Sequence, residues 1–96
     1  MANLTGKWKC SDSGVYYIRQ VGEEVMWYGE LESISVFSNV AAGNIGGNNL
    51  ILRWMDVPKG GNSNEGILVL KIAADGKKMT LVTKEGSFGG DEWTKV

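Results

Sequence analysis

The 96-residue chain has no histidine, one cysteine and one proline. Without histidine there is no imidazole to act as a general base, to activate a serine or cysteine, or to serve as the commonest zinc ligand. The single thiol, Cys10, can form neither an internal disulfide nor a two-cysteine redox or zinc pair. No apolar run approaches the ~20 residues that a membrane helix requires. Met1 to Gly6 lacks the basic-then-apolar order of a signal peptide. These absences lead us to expect a cytoplasmic location and no membrane partner. The sequon-like Asn3-Leu4-Thr5 acquires meaning only in a secretory setting.

Clustered positive charge is also missing. Lys and Arg number 10 against 11 Asp and Glu, for a formal net charge of −1, and Lys77-Lys78 is the only adjacent basic pair. A protein that grips a phosphate backbone needs several neighbouring cations, so no nucleic-acid partner is expected.

What the chain does have is glycine, 14 residues in 96, gathered between apolar runs that alternate with a period of two. That pattern predicts short strands joined by tight turns and no helix. Leu4, Gly6, Trp8 and Cys10 form the apolar face of a first strand. Val15–Val21 and Glu24–Glu30 follow, joined at Gly22-Glu23. A fourth strand over Val36–Ile45 is thinned by Ala41, Ala42 and Gly43. Gly46 to Asn49 turns the chain into a fifth strand, Leu50–Asp56, which Pro58 ends because proline cannot donate to a sheet ladder. Lys59 to Asn64 is a polar, glycine-rich loop. Ile67–Ala73 and Lys78–Lys84 flank Asp75-Gly76, a hairpin signal whose type I′ form would place both residues at positive φ. Glu92–Val96 closes the chain.

The fold class expected is all-β: one domain over residues 1–96, an antiparallel up-and-down barrel of about eight short strands. Closure of such a sheet removes its exposed edges. A small β-sandwich is the structural alternative.

Signals for catalysis are sparse. Gly43 to Gly47 lies between strands, with no helix N-terminus to hold a phosphate. Gly86 to Gly89 lacks the strand-turn-helix setting of a nucleophile elbow. The pairs Glu23/Glu24 and Asp91/Glu92 are strand neighbours whose side chains point to opposite faces. Cys10 shares the apolar face of Trp8, the usual place of a buried, inert thiol. We therefore expect a protein that is not an enzyme, with no cofactor and no metal site.

The aromatic residues are more informative. Four tryptophans, Trp8, Trp27, Trp54 and Trp93, are joined by Tyr16, Tyr17 and Tyr28. Trp8 and Trp93 read as core filling. Trp27 and Trp54 share their strands with polar residues that a plain core would avoid. Arg19 shares a face with Tyr17, Glu30 with Tyr28, and Asp56 with Trp54. Aromatic walls with a few polar groups are the usual make-up of a small-molecule site. A surface ion pair of Arg19 with Glu30 beside exposed tyrosines is the competing reading.

Leu4-Thr5-Gly6-Lys7-Trp8 opens the first strand with a Gly-x-Trp pattern, and Asp91-Glu92-Trp93-Thr94-Lys95-Val96 closes the last. Both ends resemble calycins, the lipocalin and avidin class of eight-stranded ligand-binding barrels. The resemblance implies that Trp8 closes the barrel floor and that Asp91 contacts the ligand. The middle of the chain, Tyr16-Tyr17-Ile18-Arg19-Gln20 with Trp27 to Glu30 and Trp54 to Pro58, is similar to a small uncharacterised prokaryotic domain, which implies no activity.

The function expected is a binding module with an aromatic-lined small-molecule site at one barrel mouth. Its candidate residues are Tyr17, Arg19, Trp27, Tyr28, Glu30, Trp54, Asp56 and Asp91, with Lys59 to Asn64 as a lid. The alternative is a protein-interaction or self-associating domain that uses Tyr17, Tyr28 and Met26 as an exposed patch. On either reading a monomer or weak homodimer is expected.

Overall fold

The computed structural model describes residues 3–31, 37–58 and 60–96. Eight strands follow in chain order: β1 Gly6–Cys10, β2 Val15–Val21, β3 Glu24–Glu30, β4 Ser38–Gly46, β5 Asn49–Asp56, β6 Glu65–Ile72, β7 Lys78–Lys84 and β8 Glu92–Lys95. Each pairs antiparallel with the next, and β1 pairs with β8, so the meander closes into a barrel. Strands β2, β3 and β7 have the limits that the alternation predicts. Of the expected fourth strand, Val36 lies outside the described residues, as does Lys59 of the expected lid.

Burial follows the pleat. On β3, Val25, Trp27 and Gly29 are buried while Met26 and Tyr28 are exposed; on β5, Leu50, Leu52 and Trp54 point inward. The interior is filled by side chains in two layers. Tyr16, Trp27, Phe88 and Trp93 cluster with ring centroids 5.1–6.4 Å apart, and Trp54 meets Phe88 edge-on at 4.9 Å. Val25, Ile45, Leu50, Leu70, Ile72 and Met79 occupy the other half. Trp8 is fully buried, and its indole N–H donates to the carbonyl of Leu4 at 2.8 Å.

The two ends of the barrel differ. One carries the two-residue turns Gly22-Glu23 and Gly47-Asn48 and the compact connection 73–77. At the other, β1, β3, β5 and β7 end and β2, β4, β6 and β8 begin, so the three links of seven or eight residues all leave from and return to one mouth. Loops held on a rigid scaffold are where binding residues concentrate.

The β6–β7 turn departs from the type I′ expectation. Gly76 has φ +70°, but Ser13 is the sole non-glycine residue at positive φ among the described residues, so Asp75 is not left-handed. The Gly76 N–H donates to Ala73 O at 2.9 Å and the Ala73 N–H to Lys78 O at 2.9 Å. A hydrogen-bonded turn that ends in one left-handed glycine is the longer hairpin solution, in which only the glycine must be left-handed.

Candidate functional site

The long-loop mouth holds a cleft of about 360 Å³ lined by Asp12, Leu31, Phe37, Asn39, Trp54, Asp56, Asn62, Asn64, Ser87, Phe88 and Gly89. Its polar floor is built by the strand ends. The chain leaves β1 at Asp12, where Oδ1 accepts the Gly14 N–H at 2.8 Å, an Asx bond that closes the turn into β2. Asp12 Oδ2 accepts the Tyr16 hydroxyl at 2.5 Å. That hydroxyl accepts in turn from Asn39 Nδ2 at 3.3 Å, and Asn39 Oδ1 accepts the Trp27 indole N–H at 2.8 Å. Asn39 is an inward-facing polar residue on β4, 2% exposed. Burial is tolerated because both ends of its amide are used.

Burial, reinforced by the nearby Asp12 charge, pushes the Tyr16 phenol well above its ordinary 10.0. Burial also pushes the Cys10 thiol up to about 12. Both groups therefore stay protonated at neutral pH, and Tyr16 remains a donor to Asp12.

The opposite wall is set by β5 and the loop after it. Asp56 and Asn64 are tied twice, through Asp56 N–H to Asn64 O at 2.7 Å and Asn64 N–H to Asp56 Oδ2 at 2.8 Å. The Val57 N–H donates to Ser38 O at 2.9 Å, and the Ser38 hydroxyl donates back to Val57 O. The expected lid is thus pinned to the barrel at Val57 and at Asn64. Beneath it Trp54 is 2% exposed, with its indole N–H on Glu85 O at 3.2 Å. Phe88 is 4% exposed, and Lys84 Nζ donates to its carbonyl at 2.7 Å, which fixes the 85–91 loop over the barrel.

The candidate residues from the sequence separate into three places. Trp54 and Asp56 line the cleft, and Trp27 lies beneath it. Glu30 and Asp91 are at the same end but outside the cleft lining. Asp91 ties the β1 end to β8 by accepting the Ser11 hydroxyl at 2.6 Å and donating its N–H to Ser11 Oγ at 2.9 Å. Tyr17, Arg19 and Tyr28 point outward, with Tyr17 opposite Tyr28 and Arg19 opposite Met26 across β2 and β3. Tyr28 donates to Glu30 Oε1 at 3.2 Å. The structure therefore does not bring these three together with Trp54 and Asp56.

Sequence reasoning missed Asp12, Phe37, Asn39 and Phe88 as cleft residues. Asn39 carried a usable signal, because it sits on the inward alternation Asn39, Ala41, Gly43, Ile45. Phe37 and Phe88 lie outside strands and have no periodicity to betray them.

The outer wall has a feature of its own. Tyr17, Tyr28, Val40 and Met55 face one another in register across β2 to β5. Beside them Met26, Ala42 and Arg53 border a shallow groove of about 160 Å³. The chain matches no protein-family model, no curated protein and no solved structure.

Proposed function

We propose that this protein is a non-enzymatic, calycin-like binding module that holds a small molecule in the cleft at its long-loop mouth. The observation that carries the reading is the floor of that cleft, where Asp12 and Asn39 are fixed by the Tyr16 hydroxyl above packed aromatic rings. A floor already held in one geometry costs little to order when a ligand arrives. The likeness of both chain ends to ligand-binding barrels supports the same reading. Since the lumen is filled, recognition belongs to the mouth alone.

Titration with a metabolite library, followed by tryptophan fluorescence, tests it. Trp54 is the tryptophan in the cleft lining, so a hit changes the native spectrum, and the change shrinks in Trp54→Phe. A panel that leaves the emission unchanged argues against the module.

A second reading is an interaction or self-associating domain, favoured by the outer row Tyr17, Tyr28, Val40 and Met55 with the neighbouring Met26, which is 64% exposed. Sedimentation at micromolar concentration discriminates. Association that Met26→Ser abolishes supports this reading, and a clean monomer counts against self-association.

A further inference from the structure

We infer that the cleft takes a neutral, polyhydroxylated ligand, a carbohydrate, an inference that rests on the binding reading above. Hydrogen-bond accounting carries it. Asp12 accepts the Gly14 N–H on one carboxylate oxygen and the Tyr16 hydroxyl on the other, and the Cys10 thiol bonds to the same carboxylate; Asp56 Oδ2 accepts one bond from the Asn64 N–H. A carboxylate oxygen has about two acceptor positions, so capacity remains on both walls. Asn39 Nδ2 gives one proton to Tyr16, and its second proton has no partner among the described residues although the residue is 2% exposed. The floor thus offers acceptors and a donor side by side. Asn62, Asn64 and Ser87 extend the mixture along the lining.

That inventory selects among ligand classes. A hydroxyl both donates and accepts, so adjacent hydroxyls satisfy a carboxylate and a neighbouring amide together. An ammonium group only donates and would leave the second amide proton of the buried Asn39 unanswered, whereas the exposed Asn62 and Asn64 can turn to water. An anion would face Asp12 and Asp56 with no lysine or arginine among the described lining residues. The apolar part of the lining fits as well. Leu31 and the half-buried Phe37 flank the polar floor, where the C–H face of a sugar ring can rest while its hydroxyls reach the carboxylates.

The test uses isotope-labelled full chain and amide-resolved NMR. Neutral oligosaccharides built on glucose, mannose, galactose, xylose and N-acetylglucosamine form one panel; spermidine and choline form the other. Each is titrated at low salt and at about 500 mM salt, where exposed charge attraction is screened within ~3–5 Å. The expected result is that at least one oligosaccharide moves the amides of Gly14, Asn64 and Ser87 to Gly89 and the Asn39 side-chain amide. Its midpoint should be the same at both salt concentrations. Asn62→Ala and Ser87→Ala should each weaken it about two- to tenfold, the loss of one hydrogen bond. Shifts from the amines alone, fading at high salt, would overturn the carbohydrate class and leave the cleft as the binding site. A cleft that no member of either panel perturbs would overturn the class, and the metabolite titration then decides separately on the cleft.

Discussion

The Tyr16 hydroxyl lies 2.5 Å from Asp12 Oδ2 and also accepts from Asn39, so one phenol joins the end of β1 to the start of β4. This bond couples the fold to the cleft, because the buried Tyr16 and Asn39 belong to the interior and, with the half-buried Asp12, furnish the polar floor. Tyr16→Phe keeps the ring and removes the link, leaving the Asn39 amide without its acceptor. We expect a stability loss of about 1–3 kcal/mol by urea unfolding, the usual cost of stranding buried polar groups. An unchanged midpoint would mean that the bond adds nothing.

Alkaline pH should act through the same region. Cys10 is raised by burial from 9.0 to about 12, and Tyr16 is raised from 10.0 in the same direction. Below about pH 9 the folded and unfolded chains both keep these protons. Between about pH 9 and 12 the unfolded chain releases them and the folded chain does not, so stability falls as pH rises. Urea midpoints at pH 8 and pH 10.5 should show that fall, and it should be shallower in Cys10→Ala and in Tyr16→Phe. Equal slopes in all three proteins would assign the alkaline loss to other groups.

Gly29 makes room for Tyr16. The two residues are opposite each other across β2 and β3, and a Cβ at Gly29 would lie 2.2 Å from the tyrosine ring. Gly29→Ala must push the ring off Asp12 and should cost about 1–3 kcal/mol, the range for overpacking a core. Gly46, where an added Cβ meets nothing within 4 Å, is the control, and Gly46→Ala should be close to neutral. Similar losses at both positions would contradict the packing argument.

These residues show what the sequence made legible. Strand faces were readable because the pleat alternates strictly, so Trp8 and Trp93 read as core from the sequence, whereas Trp27 and Trp54, which share their strands with polar residues, did not, although all four are buried. Closure into a barrel was readable from eight evenly spaced strands with hairpin-length links. The cleft was harder. Asp56 shares a face with Trp54 and so lines the cleft with it, whereas Phe37 and Phe88 reach the cleft from loops, where no period constrains direction. Tyr17, Arg19 and Tyr28 drew attention by residue type, yet the alternation that buries Tyr16 and Trp27 turns them to the outer wall.

The β6–β7 hairpin tests the turn chemistry. Gly76 is left-handed at φ +70° while Asp75 is not, so Gly76→Val should lose about 1–3 kcal/mol, the cost of forcing a β-branched residue into that region. Lys77→Val should lose much less, and Asp75→Ala only the bond from the Lys77 N–H to Asp75 Oδ1. Equal urea midpoints for Gly76→Val and Lys77→Val would contradict the turn described above.

The central claim is that recognition resides at the long-loop mouth and not on the outer wall. The most direct measurement is the affinity for the first ligand found, compared across Asp56→Asn, Asn62→Ala and Met26→Ser. Asp56 and Asn62 line the mouth cleft, and Met26 lines the groove on the outer wall. The account predicts about two- to tenfold weaker binding for each of the first two, from one hydrogen bond lost or mismatched, and no change for Met26→Ser. Binding that weakens in Met26→Ser and survives both cleft variants would contradict it.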